Sequence, residues 1–361
     1  METRHGSAII QALAIYTASM AFAPSAQAAT NTPLDCPGVI ATPGGYRLTQ
    51  NTACSFLWMR DANKIFDLNR FAFTGDITIH MSDQTTISNG TLRTNHTVWG
   101  CSNGGKLRNV RVVSAGTPSS WGTIDNASLV ENSVFENIPA TALGFGTWGG
   151  ACRGYSGGTV RNSAFTGNNI AVISWRPDVL IEKNLFRRNS IGVGLHSGLE
   201  EDATNNMIRL NQFLNNRAGI HMENFDNGYR PLTLQGNQIL KNQFYHNATS
   251  GIVIELNCGT PSGNAPAPCP GQGTLIAGNQ LISNGFGSPP EFPNDDGVTA
   301  RANIQGMNHP DGLVGITLSG NSADRNADLG LDVPGATDGG GNRARFNGNP
   351  AQCDGVVCSK R

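Results

Sequence analysis

Trp175, His196, Glu223 and Glu255 each stand three residues after the branched residue of a short apolar stretch, namely Val172, Val193, Ile220 and Ile252. His221 stands one residue after Ile220, at the place that Ile173, Gly194 and Val253 hold in the other stretches. If the four stretches lie side by side as strands, period-2 alternation turns both columns to one face, with successive members about 4.8 Å apart. An aromatic ring, two imidazoles and two carboxyls then share one patch. Two carboxyls can divide acid and base work when their surroundings separate their pKa values. An imidazole beside them can tune that pair or itself abstract a proton. His196, His221 and Glu223 are also a ligand set suited to zinc, copper or non-haem iron. We take His196, His221, Glu223 and Glu255 as the catalytic candidates, with no cofactor required and a divalent ion at His196, His221 and Glu223 as the alternative use.

Such an alignment needs a repeat, and the chain has one. An asparagine is followed five or six residues later by another at Asn132/Asn137, Asn162/Asn168, Asn184/Asn189, Asn211/Asn216, Asn242/Asn247, Asn279/Asn284 and Asn321/Asn326. Phe135, Phe165, Phe186, Phe213 and Phe244 lie between the members of five pairs. The shortest interval, from Asn162 to Asn184, is 22 residues. A coil of that length holds two or three short strands with tight bends, and it buries its apolar face only by stacking on the next coil. Asparagine suits the bends, because it tolerates left-handed backbone and its amide can bond along a column. The 45 glycines and the period-2 alternation argue against long helices, and the leucine spacing is wrong for a leucine-rich repeat.

With these features, and with Ile87-Ser88-Asn89-Gly90-Thr91-Leu92 reading as an early rung, the chain resembles the right-handed parallel β-helix proteins of the pectate-lyase-like superfamily from about Ile77 to Val333. The resemblance implies an all-β solenoid with terminal caps and a polysaccharide lying along a groove, with Trp148 and Trp175 as sugar platforms. Excursions after the strands, carrying Tyr229 and Arg230, would wall that groove. Hydrolysis of a glycosidic bond could use Glu223 and Glu255 as acid and carboxylate partner. β-Elimination from a uronate could use His196 or His221 as base, with Arg176, Arg230, Asn224 or Asn257 facing the substrate carboxylate. Hydrolysis is the slightly favoured reading, because the column is acidic and a groove for polyanions is usually more cationic. The Asn-Thr-Asp, Asp-Asp and Gly-His-Gly set of polygalacturonases, the Arg-x-Pro-x-x-Arg of pectate lyases and the Asp-Pro-His of alginate epimerases are all absent. No catalytic residue is therefore carried over from the superfamily. The reading from another class is a non-catalytic glycan-binding or surface scaffold, which would tolerate loss of the ionisable column.

The rest of the chain frames this core. Arg4 and His5 precede a mostly apolar run from Ala8 to Ala23 that ends in Ala26-Gln27-Ala28, the pattern of a secretory signal over residues 1–28. The expected order is then an N-terminal cap at 29–75, a β-helix at 76–333 and a Gly/Asn-rich C-terminal cap at 334–361. Eight cysteines without a Cys-x-x-Cys pair favour disulfides in an oxidising compartment, with Cys36–Cys54, Cys101–Cys152, Cys258–Cys269 and Cys353–Cys358 as the local pairings. A net charge of −1 with 14% charged residues makes no electrostatic case for nucleic acid or an anionic membrane. The expected protein is a secreted or periplasmic monomer whose partner is a polysaccharide.

Overall fold

A computed structural model describes residues 35–59, 64–79, 85–99, 105–116, 123–146, 157–197, 202–224, 234–257, 270–287, 295–304, 307–308 and 314–360. The expected signal segment and the pairs Cys101–Cys152 and Cys258–Cys269 lie outside these residues. Among them every regular element is a strand, and no helix is long and apolar enough to cross a membrane.

The strands wind as a parallel β-helix of three sheets. A representative coil runs Val179–Glu182, Leu185–Arg187 and Ile191–Ser197, and each strand pairs in parallel with its counterpart one coil later, Met207–Arg209, Gln212–Leu214 and Ala218–Asn224. In these coils the strands are three to seven residues long, so register is inherited from one coil to the next, and a residue's column is fixed by its neighbours above and below. Parallel pairing begins earlier than position 76, with Gly45 opposite Ile65, and continues past 333, with Leu331 opposite Cys353. The cap segments expected at 29–75 and 334–361 thus contribute rungs of their own. Val39–Thr42 folds back antiparallel on Gly45–Leu48 at one end, and at the other the Asn347 amide and backbone N–H both donate to Gln352 Oε1 at 3.1 Å.

Two stacked columns hold the tube together. Phe135, Phe165, Phe186, Phe213 and Phe244 are fully buried, with successive ring centroids 4.6, 5.2, 4.8 and 4.7 Å apart and planes within 14° of parallel. The asparagines form ladders beside them. Asn211 Oδ1 accepts from the backbone N–H and the amide of Asn184 at 2.9 and 3.1 Å, while its own amide donates to Ile181 O and Asn242 Oδ1 at 2.9 and 3.0 Å. Every polar atom of that side chain is satisfied without water, which removes the cost of burying it.

Membership of the ladders differs from the expectation at the upstream end. Ser133, Ser163 and Ile138 occupy the rungs that Asn132, Asn162 and Asn137 were expected to hold. Those three asparagines sit one residue earlier, with φ of 51°, 51° and 55°. The same left-handed position is taken by Lys183, Arg188, Leu210 and Lys241 in later coils. The bend therefore divides two tasks between adjacent residues, one in left-handed backbone and the next in the ladder.

Cys36–Cys54 and Cys353–Cys358 are bonded as expected, the pattern of a protein that folds in an oxidising compartment. Replacing both Cys353 and Cys358 by Ser is expected to cost about 2 kcal/mol, because so short a loop removes little entropy from the unfolded chain. Denaturant titration of the double variant checks this, and an unchanged midpoint would show that the last rung contributes nothing to global stability.

Candidate active site

The third sheet carries the candidate residues. Val172 is opposite Val193, Val193 opposite Ile220 and Ile220 opposite Ile252, all inward and fully buried. His196 is then opposite Glu223, and Glu223 opposite Glu255, on the outer face. His221 sits two residues before Glu223 on the same face, between Gly194 and Val253. The expected columns are therefore the observed ones, including the extra residue needed to place Glu255.

A column of glycines makes that register possible. Gly192, Gly219, Gly251, Gly297 and Gly330 each precede an inward residue, and a Cβ on Gly192 would lie 2.5 Å from Gly219 O and 2.7 Å from the Phe213 ring. These positions let the third sheet approach the phenylalanine stack. Gly194 has a different task. A Cβ there would lie 3.0 Å from His196 Nε2, so the absence of a side chain makes the bed on which the imidazole rests.

His196 is only 8% exposed although it is on the outer face. Trp175 meets it edge-on at 6.3 Å between ring centroids, and His221 does the same from the other side at 5.7 Å. Burial, with the neighbouring His221 adding to it, pushes the His196 imidazole down to about 3, so the ring is neutral at ordinary pH. Burial raises the Glu223 carboxyl above the usual range; His221 pulls it back, and Glu255 adds to the rise. Glu255 is more open, its side chain 40% exposed, and its Oε2 lies 3.1 Å from His221 Nε2. Two carboxyls on adjacent rungs thus have unlike surroundings, one favouring the proton and one accepting a hydrogen bond. A groove of about 420 Å³ opens on the His221–Glu255 side, with Ser190, Arg217, Thr249 and Val253 among its lining. It can receive an extended chain running across the rungs.

The remaining candidates divide. Trp175 belongs to the patch, and it walls His196 rather than lying as an open platform. Arg176 turns away: it is buried, donates to Asn126 Oδ1 at 2.8 Å and faces Asp125, so it serves the upstream rungs and not a bound substrate. Asn224 is also excluded as a surface contact, because alternation puts it on the inner face after Glu223, where it is buried. The backbone of Asn257 pairs with Asn303 at the strand end, and its side chain lies outside the described residues. Trp148, Tyr229 and Arg230 lie outside them as well.

Three residues near the patch escaped the sequence reading. Arg217 opens the groove from the bend before Ala218, and Thr299 and Arg301 continue the two columns opposite Val253 and Glu255. The pairs Gly297-Val298 and Gly330-Leu331 repeat the Gly251-Ile252 signal and could have located these rungs.

Gly194→Ala is expected to displace His196 and, through it, Glu223 and His221. Loss of about 10- to 100-fold in activity with little change in melting temperature would fit a misplacement of about 1 Å at the site. A fully active variant would show that His196 has no positional role.

The family model for the right-handed beta helix region matches residues 45–265. Among solved structures, the periplasmic alginate epimerase AlgG aligns over 92% of this chain and 80% of its own, with a TM-score of 0.42 and 14% identity. PfbA, a surface adhesin of Streptococcus pneumoniae, aligns over 80% of this chain and 82% of its own, with a TM-score of 0.44 and 10% identity. The A-module of the mannuronan C-5 epimerase AlgE6 of Azotobacter vinelandii aligns over 88% and 90%, with a TM-score of 0.31 and 14% identity. At these identities the likeness is one of fold. No curated protein sequence matches the chain.

Proposed function

This chain belongs to the right-handed beta-helix family, and on that scaffold we propose that it is an exported carbohydrate-active enzyme that hydrolyses glycosidic bonds of an extended polysaccharide. The observation that carries the reading is the placement of Glu223 and Glu255 on adjacent rungs of one outer face with their environments pushed apart. Glu223, half-buried and inclined to keep its proton, gives that proton to the glycosidic oxygen as the bond to the anomeric carbon breaks. Glu255, whose Oε2 lies 3.1 Å from His221 Nε2, takes the carboxylate role and faces the anomeric carbon. Adjacent strands lie about 4.8 Å apart, which fits the closer carboxyl spacing of roughly 5–5.5 Å used for retention of configuration. Glu255 would then form the glycosyl-enzyme bond, and Glu223 as carboxylate would take the proton of the water that hydrolyses it.

Elimination has less support. The imidazole of His196 is held neutral with little basicity, and Arg176 is committed to Asn126. Arg217, which lines the groove, is a cation that could meet a uronate. The discriminating experiment incubates the protein with neutral and uronic polysaccharides and reads new reducing ends together with the absorbance of unsaturated products. Reducing ends alone are expected. Both signals together would replace hydrolysis by elimination, and neither, across a broad panel, would favour the scaffold reading. Mass spectrometry of the exported protein is expected to begin at Ala29.

A further inference from the structure

We propose that His196, His221 and Glu223 form a binding site for one divalent transition-metal ion of the zinc class. One donor atom from each of the three side chains lies within 4.8 Å of the other two. The backbone fixes that convergence: His196 and Glu223 are opposite each other on neighbouring strands, and His221 is on the same face two residues before Glu223. The rings are also held from behind. Gly194 beds the imidazole of His196, and Trp175 closes on its other edge. Small side-chain rotations would bring three such donors to the 2.0–2.2 Å or so at which imidazole and carboxylate bind zinc.

Glu255 supplies a separate argument. Its Oε2 is 3.1 Å from His221 Nε2, so the tautomer with its proton on Nε2 donates to this carboxyl and keeps its lone pair on Nδ1. A carboxylate behind a histidine in this way is the usual outer support of a metal ligand, fixing its tautomer and raising its basicity. The donor set also selects the ion. Two imidazoles and one carboxylate suit zinc or copper, whereas calcium and magnesium take oxygen ligands in greater number. Three protein ligands leave a fourth position for water, as in open zinc sites.

The metal site shares Glu223 and His221 with the hydrolytic reading but does not depend on it. Glu223 cannot hold a metal and donate a proton at once, so an occupied site should suppress hydrolysis. The test is isothermal titration of tag-free, EDTA-stripped mature protein with zinc chloride and, separately, calcium chloride. Saturable one-to-one binding of zinc, with no calcium counterpart, is expected. Glu223→Gln, nearly isosteric and half-buried, should weaken zinc binding by at least tenfold, and Glu255→Gln by about 10- to 100-fold through His221. Circular dichroism confirms that both variants are folded. Asp296→Asn should leave zinc binding unchanged; it alters a second, all-oxygen cluster of Asp295, Asp296 and Asp328 whose donors also lie within 4.8 Å of one another. Absence of saturable zinc binding, equal binding of calcium, or loss of binding in Asp296→Asn but not in Glu223→Gln would each overturn the site. Hydrolysis by stripped protein without zinc binding removes the metal site alone, whereas hydrolysis only with zinc keeps it and removes Glu223 as proton donor.

Discussion

Glu223→Gln is expected to lower turnover of the polysaccharide substrate by about 10²–10⁴-fold while leaving the fold intact, the scale of one acid–base group. The amide keeps the size of the carboxyl and removes only the transferable proton. Glu255→Gln should be impaired to a similar degree, because it removes the second carboxylate of the pair. The pH profile of the parent protein carries the same information. In the proposed hydrolysis Glu223 acts as the protonated acid. Burial raises Glu223 above the usual carboxylate range, so activity is lost on the alkaline side as pH rises through that raised value. Absence of the alkaline loss, or a folded Glu223→Gln protein with full turnover, would remove Glu223 as the proton donor.

Phe213→Ala is expected to destabilise the protein by about 3–5 kcal/mol, the cost of deleting a ring from a site that cannot collapse around the gap. Phe213 is held between Phe186 and Phe244, at 4.8 and 4.7 Å, and the backbone spacing of the coils prevents those rings from closing together. Denaturant unfolding measures the loss. The damage should remain local, because each coil touches only its neighbours. It should nevertheless reach the active face, since the glycine column of the third sheet packs directly on these rings and the coil of Phe213 also carries His221 and Glu223. Faster amide exchange confined to the coils of Phe186, Phe213 and Phe244 is the expected signature. Uniformly faster exchange over the whole chain would contradict a nearest-neighbour solenoid.

The coil, its phenylalanine stack and the columns His196–Glu223–Glu255 and Gly194–His221–Val253 can be read from residue spacing alone. These follow from alternation along a strand and identical stacking between strands, both of which are properties of local spacing. What the individual residues do depends on how the coils stack. Asn132, Asn137 and Asn162 look like ladder residues, yet the bend puts them one position early, in left-handed backbone. Asn224 and Arg176 are polar neighbours of the patch in the chain. One points into the tube and the other reaches back to Asn126, because direction depends on which coil lies alongside. Arg301 is hidden because its coil carries extra residues before the strand Pro270–Ala277 and after Gln280–Ile282, although alignment places it opposite Glu255. The unlike characters of the two carboxyls were also invisible. A carboxyl's proton affinity depends on how much water and which charges surround it, and at Glu223 that surrounding is built by side chains from three different coils.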